Sequence, residues 1–135
     1  MTGTEHDLQK MAHYISCYGL ETGDQMARQG DYNTYDIPAL AFRITEHHAP
    51  AVFFTNPDAS VQLIKSSERA MACIRAISAA ITDYEVPDTD GQPDVIEHVL
   101  TWVSTPPIGA TEPPSICQVI GCILRAANHA LNRTV

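Results

Sequence analysis

Basic residues are scarce in this chain. Eight lysines and arginines stand against sixteen aspartates and glutamates in 135 residues, giving a net charge of −8 and a pI near 5.0. Direct nucleic-acid binding draws its affinity from neutralising phosphates and goes with the reverse balance, so it is not expected here. Long apolar runs are missing too. No stretch approaches the ~20 residues that span a bilayer, so no membrane partner is expected. Met1 to Lys10 has no apolar centre of a secretory signal, which makes a reducing cytoplasm the expected compartment and free thiols the expected state of the cysteines. Neither G-x-G-x-x-G nor G-x-x-x-x-G-K-[ST] occurs, so there is no glycine-rich phosphate cradle. Cys17, Cys73, Cys117 and Cys122 make no C-x-x-C pair, which removes the usual zinc and thioredoxin patterns. An EF-hand register is absent as well. No cofactor is implied.

Helical periodicity is what the chain does have. Hydrophobic residues make up 44 % and charged residues 18 %, close to the globular average and far from a disordered composition. There is no internal repeat, and the length suits one domain, residues 1–135. Five amphipathic segments are predicted. The first spans about Thr4 to Tyr18, with Thr4 and Asp7 in a capping arrangement, Leu8, Met11, Ala12 and Ile15 on one face, and Gly19 as its stop. The second spans about Asp36 to His48, with Asp36 as N-cap and Pro38 in the first turn. The third starts from Asn56-Pro57 and runs as one helix to about Ile81, with Leu63, Ala70, Ile74, Ile77 and Ile81 aligned. The fourth spans about Pro93 to Val103. The fifth opens after Pro113-Pro114, where Ser115 and Gln118 make a capping box. Ala51 to Thr55 reads as a short strand, or as an extended linker whose Phe53 and Phe54 dock in the core. The expected architecture is therefore an all-α bundle of four or five helices, with at most one short strand near 51–55.

Two loops stand out. Residues 21–36 are polar and longer than a typical connection, and Tyr32 and Tyr35 read as aromatic anchors within them, beside Asp24, Asp31 and Asp36. Residues 82–92 hold the breakers Pro87 and Gly91. From Asp83 to Glu97 the chain carries six acids and no base, namely Asp83, Glu85, Asp88, Asp90, Asp94 and Glu97. A mobile acidic loop of this kind lacks the burial that tunes a general acid.

Several constellations could carry chemistry. His13 and Cys17 lie four apart on the outer face of the first helix, where two soft ligands can hold one metal, but zinc needs a third and none is identifiable. Glu46-His47-His48 closes the second helix; adjacent histidines chelate poorly, and a helix C-terminus favours positive charge in any case. Asp94, His98 and Trp102 recur every fourth residue, so that Asp94 could orient His98 as an acid–base pair, although an ordinary i, i+4 ladder explains the spacing equally well. Cys122 and His129 read as outward on the fifth helix, with Arg125 placed to activate the thiol, whereas Cys73 and Cys117 read as core or core-edge.

One resemblance emerges from the two ends of the chain. Tyr14-Ile15-x-x-x-Gly19-Leu20-x-x-Gly23-Asp24, together with His98-x-x-x-Trp102 and Val119-Ile120-x-x-Ile123-Leu124-Arg125-Ala126-Ala127, resembles a group of small actinobacterial proteins that open on a helix followed by G-L-x-x-G-D. The W-N-D element of that group is replaced by Trp102-Val103-Ser104. The resemblance implies no catalytic or binding role.

The functional expectation is an acidic helical protein that binds another protein, one with a basic surface. The contact residues would come from Asp24, Asp31, Tyr32, Tyr35, Asp83, Glu85, Asp88, Asp90, Asp94, His98 and Trp102, since aromatic anchors with a charged rim are the usual anatomy of an interface. One version is a regulator whose carboxylates imitate a phosphate backbone. The competing expectations are a metal- or thiol-dependent enzyme using His13, Cys17, His98, Cys122 and His129, and a structural subunit of a larger assembly.

Overall fold

A computed structural model describes residues 3–22 and 26–133. Six α-helices lie within them: α1 (Gly3–Tyr18), α2 (Ile37–Glu46), α3 (Pro57–Lys65), α4 (Glu68–Ala80), α5 (Val95–Ser104) and α6 (Ile116–Arg133). Two small antiparallel hairpins interrupt them. β1 (Ala27–Arg28) pairs with β2 (Thr34–Tyr35), and β3 (Asp88–Thr89) pairs with β4 (Gln92–Pro93). The protein is a mostly-α fold.

The caps explain most boundaries. Gly19 adopts φ +91° and takes the N–H bond to Ile15 O at 2.8 Å, a left-handed stop that a side chain would resist. Asp36 accepts the Ala39 N–H at 2.9 Å and starts α2, with Pro38 in the first turn. Asn56 does the same for α3 through the Ala59 N–H at 3.1 Å. Ser115 and Gln118 bond each other's backbone N–H at 3.2 and 2.8 Å, completing the capping box at the head of α6.

Three local expectations are corrected. The single helix expected from Asn56 to Ile81 is two helices, broken at Ser66-Ser67. The Ser67 hydroxyl oxygen accepts the Ala70 N–H at 3.1 Å to cap α4, and its O–H donates to Glu46 at 2.6 Å. The break resets the helical phase, so Ile64 rather than Leu63 is fully buried. Ala51 to Phe54 is a 3₁₀ turn and not a strand, its backbone closed locally by the Phe53 N–H on Pro50 O at 3.1 Å and the Thr55 N–H on Val52 O at 3.2 Å. It drives Phe53 into the core, against Phe42 with ring centroids 5.4 Å apart. Thr4 does not cap α1, which already includes Gly3, and Asp7 is buried in an ion pair with Arg69 of α4 at 2.9 Å.

Helix α4 lies at the centre, packed on α1, α2, α5 and α6, while α1 and α6 share the most extensive contact of all. Ala70 and Ala80 let neighbours approach closely. Ile74 and Ile77 fill the seam with Leu8, Met11 and Ile15 of α1, Leu40 of α2, Val99 of α5 and Ile123 of α6. Each such aliphatic chain contributes about 1.5–3 kcal/mol on burial, set against the entropy of ordering the chain.

Asp36 ties this core to the first hairpin, since its N–H bonds Met26 O at 2.8 Å. Burial pushes its carboxyl up to about 8; the Ala39 N–H opposes the rise and the negative field of Glu21 adds to it. The folded state therefore holds a proton that the unfolded chain releases above its ordinary value of 3.8. Stability should fall as pH rises from about 4 to about 8, by up to ~1.4 kcal/mol per unit, and level off above. Asp36→Asn keeps the capping oxygen and removes the titration. Denaturant melts across this range should show a slope for the native protein and a flatter line for the variant.

Candidate functional site

The expected acid–base pair on α5 does not form. Asp94 is the N-cap of α5, accepting the Glu97 N–H at 3.0 Å and the Thr89 hydroxyl at 2.9 Å, and its carboxylate is committed to the hairpin. His98 is 1 % exposed. Its Nε2 lies 2.6 Å from Tyr84 O, which can only accept, so that nitrogen carries a hydrogen. In the neutral ring Nδ1 then accepts the Ser78 hydroxyl at 2.6 Å. A serine and a histidine in this relation resemble a nucleophile and its base, but both are buried between α4 and α5, out of reach of a substrate. Their work is to pin the α4–α5 loop to the core.

Trp102 is likewise no free anchor. It is buried, and its indole N–H donates to Asp83 at 3.0 Å. Its edge forms part of a cleft of about 420 Å³ between the end of α4, α5 and the first half of α6, where Asp83, Cys117, Gln118 and Arg125 also line the wall.

Thiol chemistry is constrained by burial. Cys122 was expected to face outward; it is buried, with its S–H towards Ile77 O at 3.9 Å. Burial pushes its thiol up to about 11, Arg125 opposing and Asp83 adding, so it is no nucleophile at neutral pH. Cys73 is core, as expected, and burial raises it to about 12. Cys117, expected in the core or at its edge, is exposed. His13, Cys17, His98, Cys122 and His129 do not converge, and no group of three His, Cys, Asp or Glu among the described residues could hold a metal ion.

The segment 83–94, expected to be a mobile loop, contains a built hairpin, β3 paired with β4 over residues 88–93. Asp90 and Gly91 both take positive φ, 54° and 80°, as a two-residue turn of the primed type requires. The Asp94 N–H closes its base on Pro87 O at 2.8 Å. Asp88 and Asp90 are exposed on the hairpin, Asp83 and Glu85 are exposed on the segment that leads to it, and Asp94 is half-buried. Asp88 and Asp90 are thus displayed from an ordered frame.

The first loop folds back over the C-terminal end of α1. Pairing of Ala27 with Tyr35 and Arg28 with Thr34 turns Asp31 and Tyr32 outward and Tyr35 inward. Tyr35 is buried, so it supports the surface without belonging to it; Asp24 lies outside the described residues. Tyr32 is 67 % exposed and stacks on Tyr18, itself 40 % exposed, with centroids 4.8 Å apart. Tyr18 packs on Tyr14 at 4.6 Å, and Tyr14 on Tyr35 at 5.8 Å. The Tyr14 hydroxyl donates to Asn33 O at 2.5 Å, and burial, with Tyr35 adding, raises its pKa. The exposed Arg28 forks onto the buried Glu21 carboxylate at 3.3 Å. Tyr14 and Tyr18 were not among the expected contact residues. The available signal was that four of five tyrosines fall between residues 14 and 35. Spacing alone could not show that the loop returns to α1.

Comparison with known proteins finds no protein-family model, no curated protein and no solved structure that matches this chain. Among the described residues no helix is long and apolar enough to cross a membrane.

The internal histidine gives a direct test. His98→Leu leaves Tyr84 O without its donor and Ser78 without its acceptor, a loss of about 2–4 kcal/mol in denaturant unfolding. Adding Ser78→Ala should cost less than the sum of the two single changes, because the pair acts as a unit.

Proposed function

We propose that this protein is a binding module for a basic segment of another protein, acting in the reducing cytoplasm. The observation that carries the reading is the stacked pair of Tyr18 and Tyr32, displayed with Asp31 at its rim on a chain of net charge −8. Exposed tyrosine faces attract guanidinium and ammonium groups, by about 0.5–1 kcal/mol each in solvent and more once desolvated. Tyrosine also spends little side-chain entropy on docking and is a frequent hot spot. Tyr14 and Tyr35 back the pair from below, so the surface is formed before a partner arrives.

The second hairpin and the segment leading to it add a field. Asp83, Glu85, Asp88 and Asp90 are solvent-exposed, and their summed potential would accelerate the approach of a basic partner rather than fix its pose. The four unpaired cysteines suit a reducing compartment.

Labelled peptides rich in arginine or lysine provide the measurement, with neutral and acidic peptides of equal length as controls. Affinity for the basic peptide should fall steeply with added salt. Tyr32→Ala should weaken it about tenfold, which corresponds to ~1.4 kcal/mol. Asp88→Asn combined with Asp90→Asn should slow association and flatten the salt dependence. Equal binding of the neutral peptide, or indifference to both salt and Tyr32, would overturn the reading.

A further inference from the structure

The outer face of α1 holds a donor pair that neither the tyrosine surface nor the acidic hairpin uses. His13 Nε2 and Cys17 Sγ lie 3.7 Å apart, both exposed, one helical turn from each other. In a tetrahedral zinc site, bonds of about 2.3 Å to sulfur and about 2.0–2.1 Å to nitrogen place the two donors roughly 3.6 Å apart. The pair is therefore already at chelating separation, and an ion can enter with no backbone change. We propose that His13 and Cys17 are half of a tetrahedral transition-metal site, and that a second copy of this chain supplies the other half.

The need for a second copy follows from the ligand count. No third His, Cys, Asp or Glu among the described residues joins the pair, so the described residues of one chain fill half of a four-coordinate shell. A two-fold axis through the ion brings the same two side chains from the other copy, which fills the shell with two sulfurs and two nitrogens, a donor set that selects Zn²⁺ and ions like it. The surrounding surface permits the approach. His6 and Lys10 share this stripe of α1 with His13 and Cys17, and all four are exposed. Of the two acids of α1, Asp7 is turned inward onto Arg69 and Glu5 accepts the Gln9 amide at 3.2 Å, two turns before His13. The other fourteen acids of the chain lie outside this helix. Exposed Tyr18 follows Cys17 directly and adds apolar area beside the ion.

The proton balance is simple. In the free chain sulfur and Nε2 face each other across one 3.7 Å hydrogen bond. The metal takes that place: each cysteine loses its proton to solvent and binds as thiolate, and each imidazole binds through its Nε2 lone pair. One ion thus releases one proton per chain, and affinity should drop as the solution is acidified.

Cobalt(II) is the probe for the full chain, kept reduced. The expected result is a tetrahedral d–d spectrum with thiolate-to-cobalt charge transfer that saturates at one ion per two chains. Sedimentation should show a shift from monomer to dimer over the same titration, and chelation should reverse both. Cys17→Ser and His13→Ala should each abolish the spectrum and the shift. Cys117→Ser, which removes the other exposed thiol on a different helix, should leave both intact. Saturation at one ion per chain in a monomer, or a spectrum that survives Cys17→Ser, or one that disappears in Cys117→Ser, would overturn the proposal.

Discussion

Helix α4 is enclosed by α1, α2, α5 and α6, and the polar groups along its seams set how those helices register. Apolar contact is permissive: a ridge of isoleucine and alanine tolerates sliding by a turn. A buried polar group is not permissive, because leaving it without a partner costs the full desolvation. Asp7 meets Arg69 at one end of α4, Ser67 meets Glu46 at the turn before it, and Ser78 meets His98 towards the other end. Each contact joins α4 to a different neighbour. No buried side-chain nitrogen or oxygen among the described residues is left without a partner.

The same economy of polar groups shapes the two surfaces. Tyr84 O, held by His98, anchors the start of the segment that becomes the acidic hairpin, and Asp94 closes its far end while capping α5. Asp36 joins the first hairpin to α2, and the Tyr14 hydroxyl bonds Asn33 at the turn that presents Tyr32. The exposed tyrosine and carboxylates are thus carried on short connections whose feet are in the core. Preorganisation of this kind lowers the entropy lost when a partner docks.

Residues that resemble catalytic machinery turn out to be structural for the same reason. His98 with Ser78 has the spacing of a base and a nucleophile, yet both lie inside the fold. Cys122 sits near a guanidinium, yet burial outweighs that charge and keeps the thiol protonated. Outside the core, His13 and Cys17 lie one turn apart on α1, both exposed to water.

Local signals sufficed where chemistry and boundary coincide. Asp36, Asn56, Gly19 and the Ser115–Gln118 box were readable as caps because a cap is satisfied by its own neighbours. The mostly-α class followed from the 3.6-residue repeat of apolar positions. Ser67 also had the chemistry of a cap, but the isoleucine repeat on either side ran through it, and periodicity cannot see a phase reset of one residue. The inward turn of Cys122, the outward turn of Cys117, the burial of His98 and the meeting of Tyr32 with Tyr18 were settled by tertiary structure. Each depends on which helix lies alongside, and that choice comes from packing and polar satisfaction between segments far apart in the chain, which no local window contains.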